Sequence, residues 1–372
     1  MLRVQASRRS HEEEEHTVLS VKELMSLAIE KGASDLHLNP GRPPVGRMGG
    51  KLTSLIDETL EEDASEALAR ELCNDSQWEE LNTVGSTDFG VAHGDGNRFR
   101  ASVFRQRGRY SGVLRLIPSE LLSFDQIGVP EAVQELLSKP RGLILVTGPT
   151  GSGKTTTLAT LIDWINANSD RHIITIEDPI EYYHTHKQGL VTQREVGKLS
   201  SGSDVPDFSE AMRRVLRQDP DVILLGEMRD LETISAAITA AETGHLVFGT
   251  LHTTGSARTV NRIIDAFPAN QQEQIRAQLS VSLVAVVSQV LLPRKDGKGR
   301  VAAFEVMLMT PAVGNLIRKN ETNKLQSTIQ TSRRLGMVTL DDCLLDLVRN
   351  DVISPMVALE AAQDRTDLET RL

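Results

Sequence analysis

The chain has 372 residues, of which 39% are hydrophobic and 25% charged, a composition typical of a soluble globular protein with about two or three domains. Its 41 basic and 51 acidic residues give a net charge of −10, which argues against nucleic acid as the main partner. The two cysteines, Cys73 and Cys343, exclude a disulfide framework and a cysteine-rich metal site, as expected of a cytoplasmic protein. No run reaches the roughly 18 apolar residues of a membrane-spanning helix, so we expect no direct membrane insertion.

The first part of the chain predicts a short tail followed by a small α+β domain. Residues 1–17 contain a run of four glutamates and no long apolar stretch, which is typical of a disordered extension. Apolar residues recur at helical spacing from Val18 to Lys31, and a second helical stretch is predicted from Leu60 to Leu81. Short alternating segments that begin at Thr87 predict strands. We therefore predict an α+β domain over residues 18–118.

The rest of the chain predicts a linker and an α/β domain. Residues 119–129 are interpreted as the linker, and residues 130–372 as the second domain. Apolar runs such as GLILV and DVILLG alternate there with helical segments, which is the pattern of a parallel sheet covered on both faces. From about Pro268 onward we predict mostly helix.

The segment GPTGSGKT, from Gly148 to Thr155, matches the phosphate-binding P-loop pattern G-x-x-x-x-G-K-[ST] between a predicted strand and a predicted helix. Its glycines allow backbone N–H groups to point at phosphates, and the helix N-terminus adds its positive dipole. Lys154 is expected to pair with the β- and γ-phosphates of ATP, and the Thr155 hydroxyl to bind Mg²⁺. The predicted nucleotide-binding residues are Gly148, Pro149, Thr150, Gly151, Ser152, Gly153, Lys154, Thr155 and Thr156.

Carboxylates occur where two further buried strands end. Glu227 follows the strand that begins at Asp221, and a glutamate in this position is suited to polarise the attacking water, although its position also fits an exposed loop residue. Glu177, Asp178 and Glu181 lie at the end of HIITIE and just beyond it. They fit either ligands of Mg²⁺ and its waters or an ordinary solvated acidic loop.

Histidines and arginines supply further candidates. His245 and His252 flank LVFGTL, a strand predicted to neighbour the P-loop strand, and they are candidates to sense the γ-phosphate or a subunit interface, with a structural role as the alternative. Phosphoryl transfer also needs cations at the γ-phosphate, although arginines in strands and on helices are often outward-facing surface residues. The arginine candidates are Arg100 and Arg115 in predicted strands of the first domain, and Arg213 and Arg217 at a spacing that places both on one helical face.

Together these motifs resemble the PilT-like branch of the type II/IV secretion ATPase superfamily. The segments that carry the resemblance occur in order between about Val18 and Asp364: ASDLHL, GPTGSGKTTT, ITIEDPIEY, QREVG, LRQDPDVILLGEMRD and AAETGHLVFGTLHT. The resemblance implies a PAS-like N-terminal α+β domain followed by a RecA-like P-loop ATPase domain with a helical C-terminal part. It also implies a homohexamer that docks on the inner-membrane platform protein of a type IV pilus machine, at the cytoplasmic face of the membrane.

The family's site roles carry over to the matching positions of this chain. The matches are Lys154 in the P-loop, Glu177 in the Asp box, Glu227 as the catalytic glutamate, His245 and His252 in the His box, Arg100 and Arg115 as the N-terminal-domain arginines that reach the nucleotide, and Arg213 and Arg217 near a neighbour's site. Glu177 and Glu227 join Thr155 as the predicted Mg²⁺ residues.

The resemblance implies an ATP-hydrolysing motor that retracts type IV pili by removing pilin subunits, the basis of twitching motility. Assembly and secretion ATPases of the superfamily usually carry further N-terminal domains and often a four-cysteine zinc element, which we do not find in this sequence, whereas an accessory PilU-like retraction ATPase is an open alternative. DNA translocation is disfavoured because the acidic charge and the 3% aromatic content offer few phosphate or stacking contacts. A regulatory scaffold that only binds nucleotide would have no need of Glu227.

Overall fold

The structure is a computed structural model that describes residues 19–94, 96–117, 121–197 and 203–372. The chain divides into two compact units, Met1–Ile117 and Pro118–Leu372. The predicted disordered extension lies outside the described residues, as does the first part of the predicted linker.

The first unit combines helices with an antiparallel sheet. Its helices are α1 (Val21–Glu30), α2 (Glu62–Leu72) and α3 (Asp75–Val84). Its strands are β1 (Asp35–Leu38), β2 (Val45–Met48), β3 (Lys51–Ser54), β4 (Ser86–His93), β5 (Asn97–Gln106) and β6 (Arg109–Ile117). They form one sheet in the order β3-β2-β1-β6-β5-β4. The core lies on one face of this sheet, where Leu36, Leu114 and Phe89 are buried with apolar residues of the helices.

The helices of the first unit begin at side-chain caps. The predicted first helix is confirmed as α1, which follows a capping box formed by Ser20 and Glu23. The prediction of one helical stretch from Leu60 to Leu81 is wrong, because the structure has two helices there. Asn74 is extended and exchanges hydrogen bonds with Gln77 in a second capping box, so a new helix starts at this point. The short strands β2 and β3 were not predicted.

The second unit is built on a mixed sheet. Its strands are β7 (Gly142–Thr147), β8 (His172–Glu177), β9 (Leu190–Glu195), β10 (Val222–Leu225), β11 (Leu246–Leu251), β12 (Leu283–Pro293) and β13 (Arg300–Leu308). Its helices are α4 (Phe124–Ile127), α5 (Glu131–Gln134), α6 (Lys154–Asn168), α7 (Phe208–Val215), α8 (Leu231–Thr243), α9 (Ser256–Asp265), α10 (Gln272–Ser282), α11 (Pro311–Arg318), α12 (Leu325–Thr331), α13 (Leu340–Arg349), α14 (Pro355–Ala361) and α15 (Arg365–Arg371). Short 3-10 helices occur at Glu135–Ser138, Thr322–Lys324 and Arg333–Leu335. Helix α4 lies within the segment predicted to be a linker.

The seven strands follow the order β13-β12-β7-β11-β10-β8-β9, and only β13 is antiparallel to its neighbour. Both faces are covered, since Leu143 and Leu145 of β7 belong to one buried cluster and Ile144 and Val146 to another. The parallel sheet predicted from the continuous apolar runs is therefore confirmed. Because parallel strands end at the same edge of a sheet, β7, β8, β10 and β11 share what we call the carboxyl edge.

The C-terminal third departs from its prediction. The helices from α10 to α15 agree with the expectation of mostly helical structure after Pro268, but the hairpin of β12 and β13 does not. Strand β12 pairs in parallel with β7, and β13 closes that side of the sheet. The run from Val281 to Leu292 is almost continuously apolar, and such a run does not distinguish a buried strand from a buried helix.

Candidate functional site

The P-loop connects β7 to α6 at the carboxyl edge. Gly148 donates its N–H to the carbonyl oxygen of Leu251 at 3.2 Å, which joins the start of the loop to the end of β11. Helix α6 begins at Lys154 after Gly153, which has a left-handed backbone (φ 88°) and supplies no side-chain cap. The first N–H groups of a helix have no acceptor inside it, so this uncapped start of a 15-residue helix is suited to bind an anion.

Lys154 lies against the loop that precedes it. Its Nζ donates to the carbonyl oxygens of Gly148 at 3.0 Å and Pro149 at 3.1 Å. Burial lowers the pKa of Lys154 from its ordinary value, and the nearby carboxylates of Glu227 and Glu181 oppose that shift. The ammonium group is thus placed at the predicted phosphate site, close to acidic side chains.

Glu227 and His252 meet at the carboxyl edge. They follow the adjacent strands β10 and β11, and His252 Nε2 lies 3.0 Å from Glu227 Oε1. Arg229 Nε donates to the same oxygen. Burial alone would raise the pKa of Glu227, but the hydrogen bonds and charges of Arg229 and His252 outweigh it and lower the pKa below its ordinary value. Glu227 is therefore a carboxylate at neutral pH that can accept a hydrogen bond from water.

Glu177 is the last residue of β8 and is buried. Its Oε1 accepts hydrogen bonds from Thr175 Oγ1 at 2.6 Å and Gln193 Nε2 at 3.3 Å. Burial raises the pKa of Glu177 to about 7, against the lowering effect of these hydrogen bonds. The structure brings Glu177 next to the Glu227 segment, since a Cβ atom on Gly226 would lie 3.2 Å from Glu177 Cα. This contact explains why glycine precedes Glu227 at the end of β10.

Two residues that the sequence analysis did not single out contact the P-loop or the first turn of the helix that follows it. Gln289 of β12, only 1% exposed, donates from Nε2 to the carbonyl oxygen of Ser152 at 2.6 Å. A Cβ atom on Gly148 would lie 2.2 Å from the backbone oxygen of Gln289, so only glycine fits there. The hydroxyl of Tyr182, in the segment after β8, lies 3.0 Å from Thr156 Oγ1 in the first turn of α6. The signal for Gln289 was a polar residue inside an apolar run, which requires a buried partner.

His245 is not brought to this edge of the sheet. It precedes β11, and its carbonyl oxygen accepts from Gly142 at the start of β7, while its Nδ1 lies 2.9 Å from the carbonyl oxygen of Ala240. The six residues of β11 separate it from His252 by about 20 Å. Of the two His-box candidates, only His252 lies beside Glu227 within one chain.

Arg213 and Arg217 do not share one helical face, contrary to prediction. Helix α7 ends at Val215, and Arg217 follows in a turn. Arg213 Nη2 lies 2.7 Å from Glu232 Oε2 at the start of α8. The helix stops before Pro220, as expected of a segment that leads into proline.

Arg100 and Arg115 lie opposite each other on β5 and β6, on the face of the first unit's sheet that does not carry the core. Asp35 of β1 is the cross-strand neighbour of both Arg115 and Arg47. Its carboxylate lies 2.9 Å from Arg115 Nε and 3.7 Å from Arg47 Nε. Burial opposes ionisation of Asp35, but hydrogen bonds from Arg115 and Ser34 lower its pKa overall. The four charged residues Arg47, Asp35, Arg115 and Arg100 form a row across adjacent strands.

Two absences among the described residues concern metal ions and membranes. In residues 19–94, 96–117, 121–197 and 203–372, no group of three or more His, Cys, Asp or Glu side chains is placed to hold a metal ion. Within the same ranges, none of the helices has the length and apolar character needed to span a bilayer.

Comparison with known proteins identifies the family of this chain. The family described as "Type II/IV secretion system protein" matches residues 10–344. The chain belongs to this family. Within the family, it is 48% identical over 345 residues to the type IV pilus retractation ATPase PilT of Pseudomonas aeruginosa, a match that covers 93% of this chain and 98% of that protein.

Two further comparisons extend this result. The chain is 38% identical over 350 residues to the type IV pilus ATPase PilU of Pseudomonas aeruginosa, covering 94% of this chain and 90% of that protein. Its fold matches the crystal structure of the pilus retraction motor PilT with bound ADP, with a TM-score of 0.89, 45% identity, and coverage of 95% of this chain and 100% of the other. The family match therefore extends over most of this chain. The chain also has the mixed α/β fold of a solved relative.

Proposed function

We propose that this chain is an ATP-hydrolysing motor that powers type IV pilus retraction. One observation carries the proposal: Glu227 and His252 meet at the carboxyl edge, where β7 ends and the P-loop begins, in a chain that matches the PilT retractation ATPase over 98% of that protein's length. A P-loop binds phosphates, and an ionised glutamate at the same edge of the sheet can orient water. Hydrolysis then removes the γ-phosphate, and a motor converts that loss into domain movement.

Each residue of the site has a role in this chemistry. Lys154 and the free N–H groups of the first turn of α6 bind the phosphates. Glu227 holds the attacking water, and His252 keeps the Glu227 side chain in place through its Nε2–H. Mg²⁺ supplies charge neutralisation at the phosphates when it is bound.

The donor set fits Mg²⁺ with few protein ligands. This ion is usually held by one or two protein groups together with waters and substrate phosphates, so the absence of a three-carboxylate cluster among the described residues is compatible with it. The Thr155 hydroxyl is the proposed ligand, with Glu227 acting through water. Glu177 suits an indirect role better, because it is buried and its Oε1 already accepts two hydrogen bonds.

The remaining features of the proposal follow the family resemblance. We propose that the first unit is PAS-like, the second RecA-like, and that the chain assembles as a homohexamer on the inner-membrane platform protein at the cytoplasmic face, without nucleic acid. In that assembly, we assign four arginines and His245 to contacts with nucleotide or with a neighbouring subunit. The arginines are Arg100, Arg115, Arg213 and Arg217.

The arginines of the first unit give a direct test. Arg100→Ala and Arg115→Ala should each lower ATP turnover by at least about tenfold while changing ATP affinity much less, because a cation at the γ-phosphate acts mainly in the transition state. Arg105→Ala is the control, since Arg105 is on the same strand as Arg100 but on its opposite face. Steady-state phosphate release and nucleotide titration measure both quantities. Equal losses of turnover and affinity would identify simple binding contacts instead.

The biological role is tested by deleting the gene and complementing it with wild-type protein or Glu227→Gln. We expect long pili that do not retract and loss of twitching motility, both restored only by the wild type. Loss of pili altogether would identify an assembly ATPase. The match to PilU over 90% of that protein supports an accessory retraction ATPase as the second candidate, which predicts normal retraction in the deletion strain when a main motor is present.

A further inference from the structure

The loop from His252 to Gly255 joins β11 to α9 and is held at both ends. At its start, His252 contacts Glu227 at 3.0 Å. At its end, α9 begins after Gly255 without a cap from its own side chains. The backbone there is bound from elsewhere: Gly255 N–H donates to Ser288 Oγ at 2.9 Å, and Ser256 N–H donates to Glu305 Oε1 at 2.6 Å.

The two groups that bind the end of this loop come from one place in the sheet. Ser288 and Glu305 are directly paired residues of β12 and β13, and both are almost fully buried. A buried carboxyl group is unfavourable unless its oxygens are hydrogen-bonded. The buried position of Glu305 in a mostly apolar strand therefore indicates that its hydrogen bonds have a specific role. Placed at the start of α9, Glu305 also interacts favourably with the helix dipole.

The second oxygen of Glu305 connects this anchor to the C-terminal helices. Gln363, between α14 and α15, donates from Nε2 to Glu305 Oε2 at 2.9 Å. The backbone N–H groups of Gln363 and Asp364 both donate to the carboxylate of Asp341 on α13, at 2.8 and 2.9 Å. The side chain of Gln363 is thus fixed by backbone contacts within the C-terminal segment. It also lies close to Gly255, where an added Cβ would be 3.0 Å from Gln363 Nε2.

We propose that Glu305 and Gln363 are positioning residues that hold the His252 loop, and through it Glu227, so that ATP turnover depends on the docking of helices α13–α15. The continuous path runs from Asp341 to Gln363, to Glu305, to the start of α9 and to His252. The inference rests on the proposed function, because it assigns these residues to the placement of the same glutamate. Glu305 is level with Thr147 at the end of β7 but two strands away from it. Its hydrogen bonds and that of the Gln363 side chain join the start of α9 to the C-terminal segment, so we assign both residues to act through the loop and not on the nucleotide.

The proposal can be tested by exchanging the donor and the acceptor of the hydrogen bond between Gln363 and Glu305. Gln363→Glu would place a second carboxyl group against Glu305, and we expect the loop to lose its anchor and kcat to fall by about tenfold or more, with KM for ATP within about twofold. Glu305→Gln should lose less turnover than Gln363→Glu, since its amide can still accept from Ser256 N–H and donate to a reoriented Gln363. The double variant Glu305→Gln/Gln363→Glu restores a donor facing an acceptor, and we expect its kcat to return to within about twofold of wild type.

Controls separate positioning from general damage to the fold. Gln188→Glu makes the same chemical change at an exposed position before β9, away from the C-terminal helices, and should leave turnover unchanged. In a His252→Ala background, Gln363→Glu should cause little further loss, because both changes act on one path, whereas independent destabilisation would be additive. Wild-type turnover in Gln363→Glu, or no recovery in the double variant, would overturn the inference.

The same assays distinguish this inference from the proposed function. Wild-type protein and Glu227→Gln are measured beside the variants above. Normal turnover in Gln363→Glu together with its loss in Glu227→Gln would reject the positioning role alone. An inactive wild-type protein, or a fully active Glu227→Gln protein, would reject the proposed function and this inference with it.

Discussion

Glu227→Gln is expected to bind ATP about as tightly as the wild type and to lose turnover by about 10²- to 10⁴-fold, the usual contribution of a positioned general base. The amide has nearly the same shape, so the hydrogen bonds that place the side chain beside His252 are largely kept. It cannot take a proton from water, however, whereas the wild-type side chain is ionised because Arg229 and His252 lower its pKa. Nucleotide titration and phosphate release measure the two effects separately.

The control for this prediction is Glu131→Gln, the same substitution at an exposed position of α5. It should match the wild type in both assays. Turnover at the parental rate in Glu227→Gln would show that another group activates the water. Glu177 would then be the next carboxylate to replace, since it lies beside the same segment.

Lys154→Ala is expected to lose both nucleotide binding and turnover, the latter by about 10²- to 10³-fold or more. The side chain supplies the positive charge at the phosphate site, and it also links the carbonyl oxygens of Gly148 and Pro149. Removing it therefore deprives the phosphates of a cation and loosens the loop around them. The expected pattern differs from that of Glu227→Gln, because affinity falls together with rate.

Lys298→Ala, in the exposed turn between β12 and β13, is the matched control. It should bind and hydrolyse ATP as the wild type does. Unchanged ATP affinity in Lys154→Ala would mean that the N–H groups at the start of α6 are sufficient for binding. The lysine would then have a role in turnover alone.

The sequence predicted the parts of the site that follow from strand direction. The P-loop, Glu227 and His252 each come after a buried parallel strand, and parallel strands place such residues at one edge. The same rule accounts for His245, which precedes β11 and so lies at the opposite edge. Grouping both histidines because they flank one strand did not take this direction into account.

Other features depend on contacts that are distant in the sequence. The assignment of the run around Gln289 to a strand requires knowing that β7 lies beside it, since its apolar character alone fits either a helix or a strand. The link between Glu305 and Gln363 spans segments that no spacing rule connects. Two predictions were wrong for local reasons. The helical stretch predicted from Leu60 to Leu81 is divided by the cap at Asn74, and Arg213 and Arg217 do not share a helical face because α7 ends between them.

The pairing of β12 with β7 has a consequence for where the second unit can be cut. Strand β7 is fully buried and has β11 on one side and β12 on the other. A chain that stopped before Leu283 would keep the whole P-loop motif, yet it would expose β7 as an unpaired apolar edge, which invites aggregation. A fragment that keeps β7 paired on both sides must therefore extend at least to Pro293, the end of β12, well past the last recognisable motif.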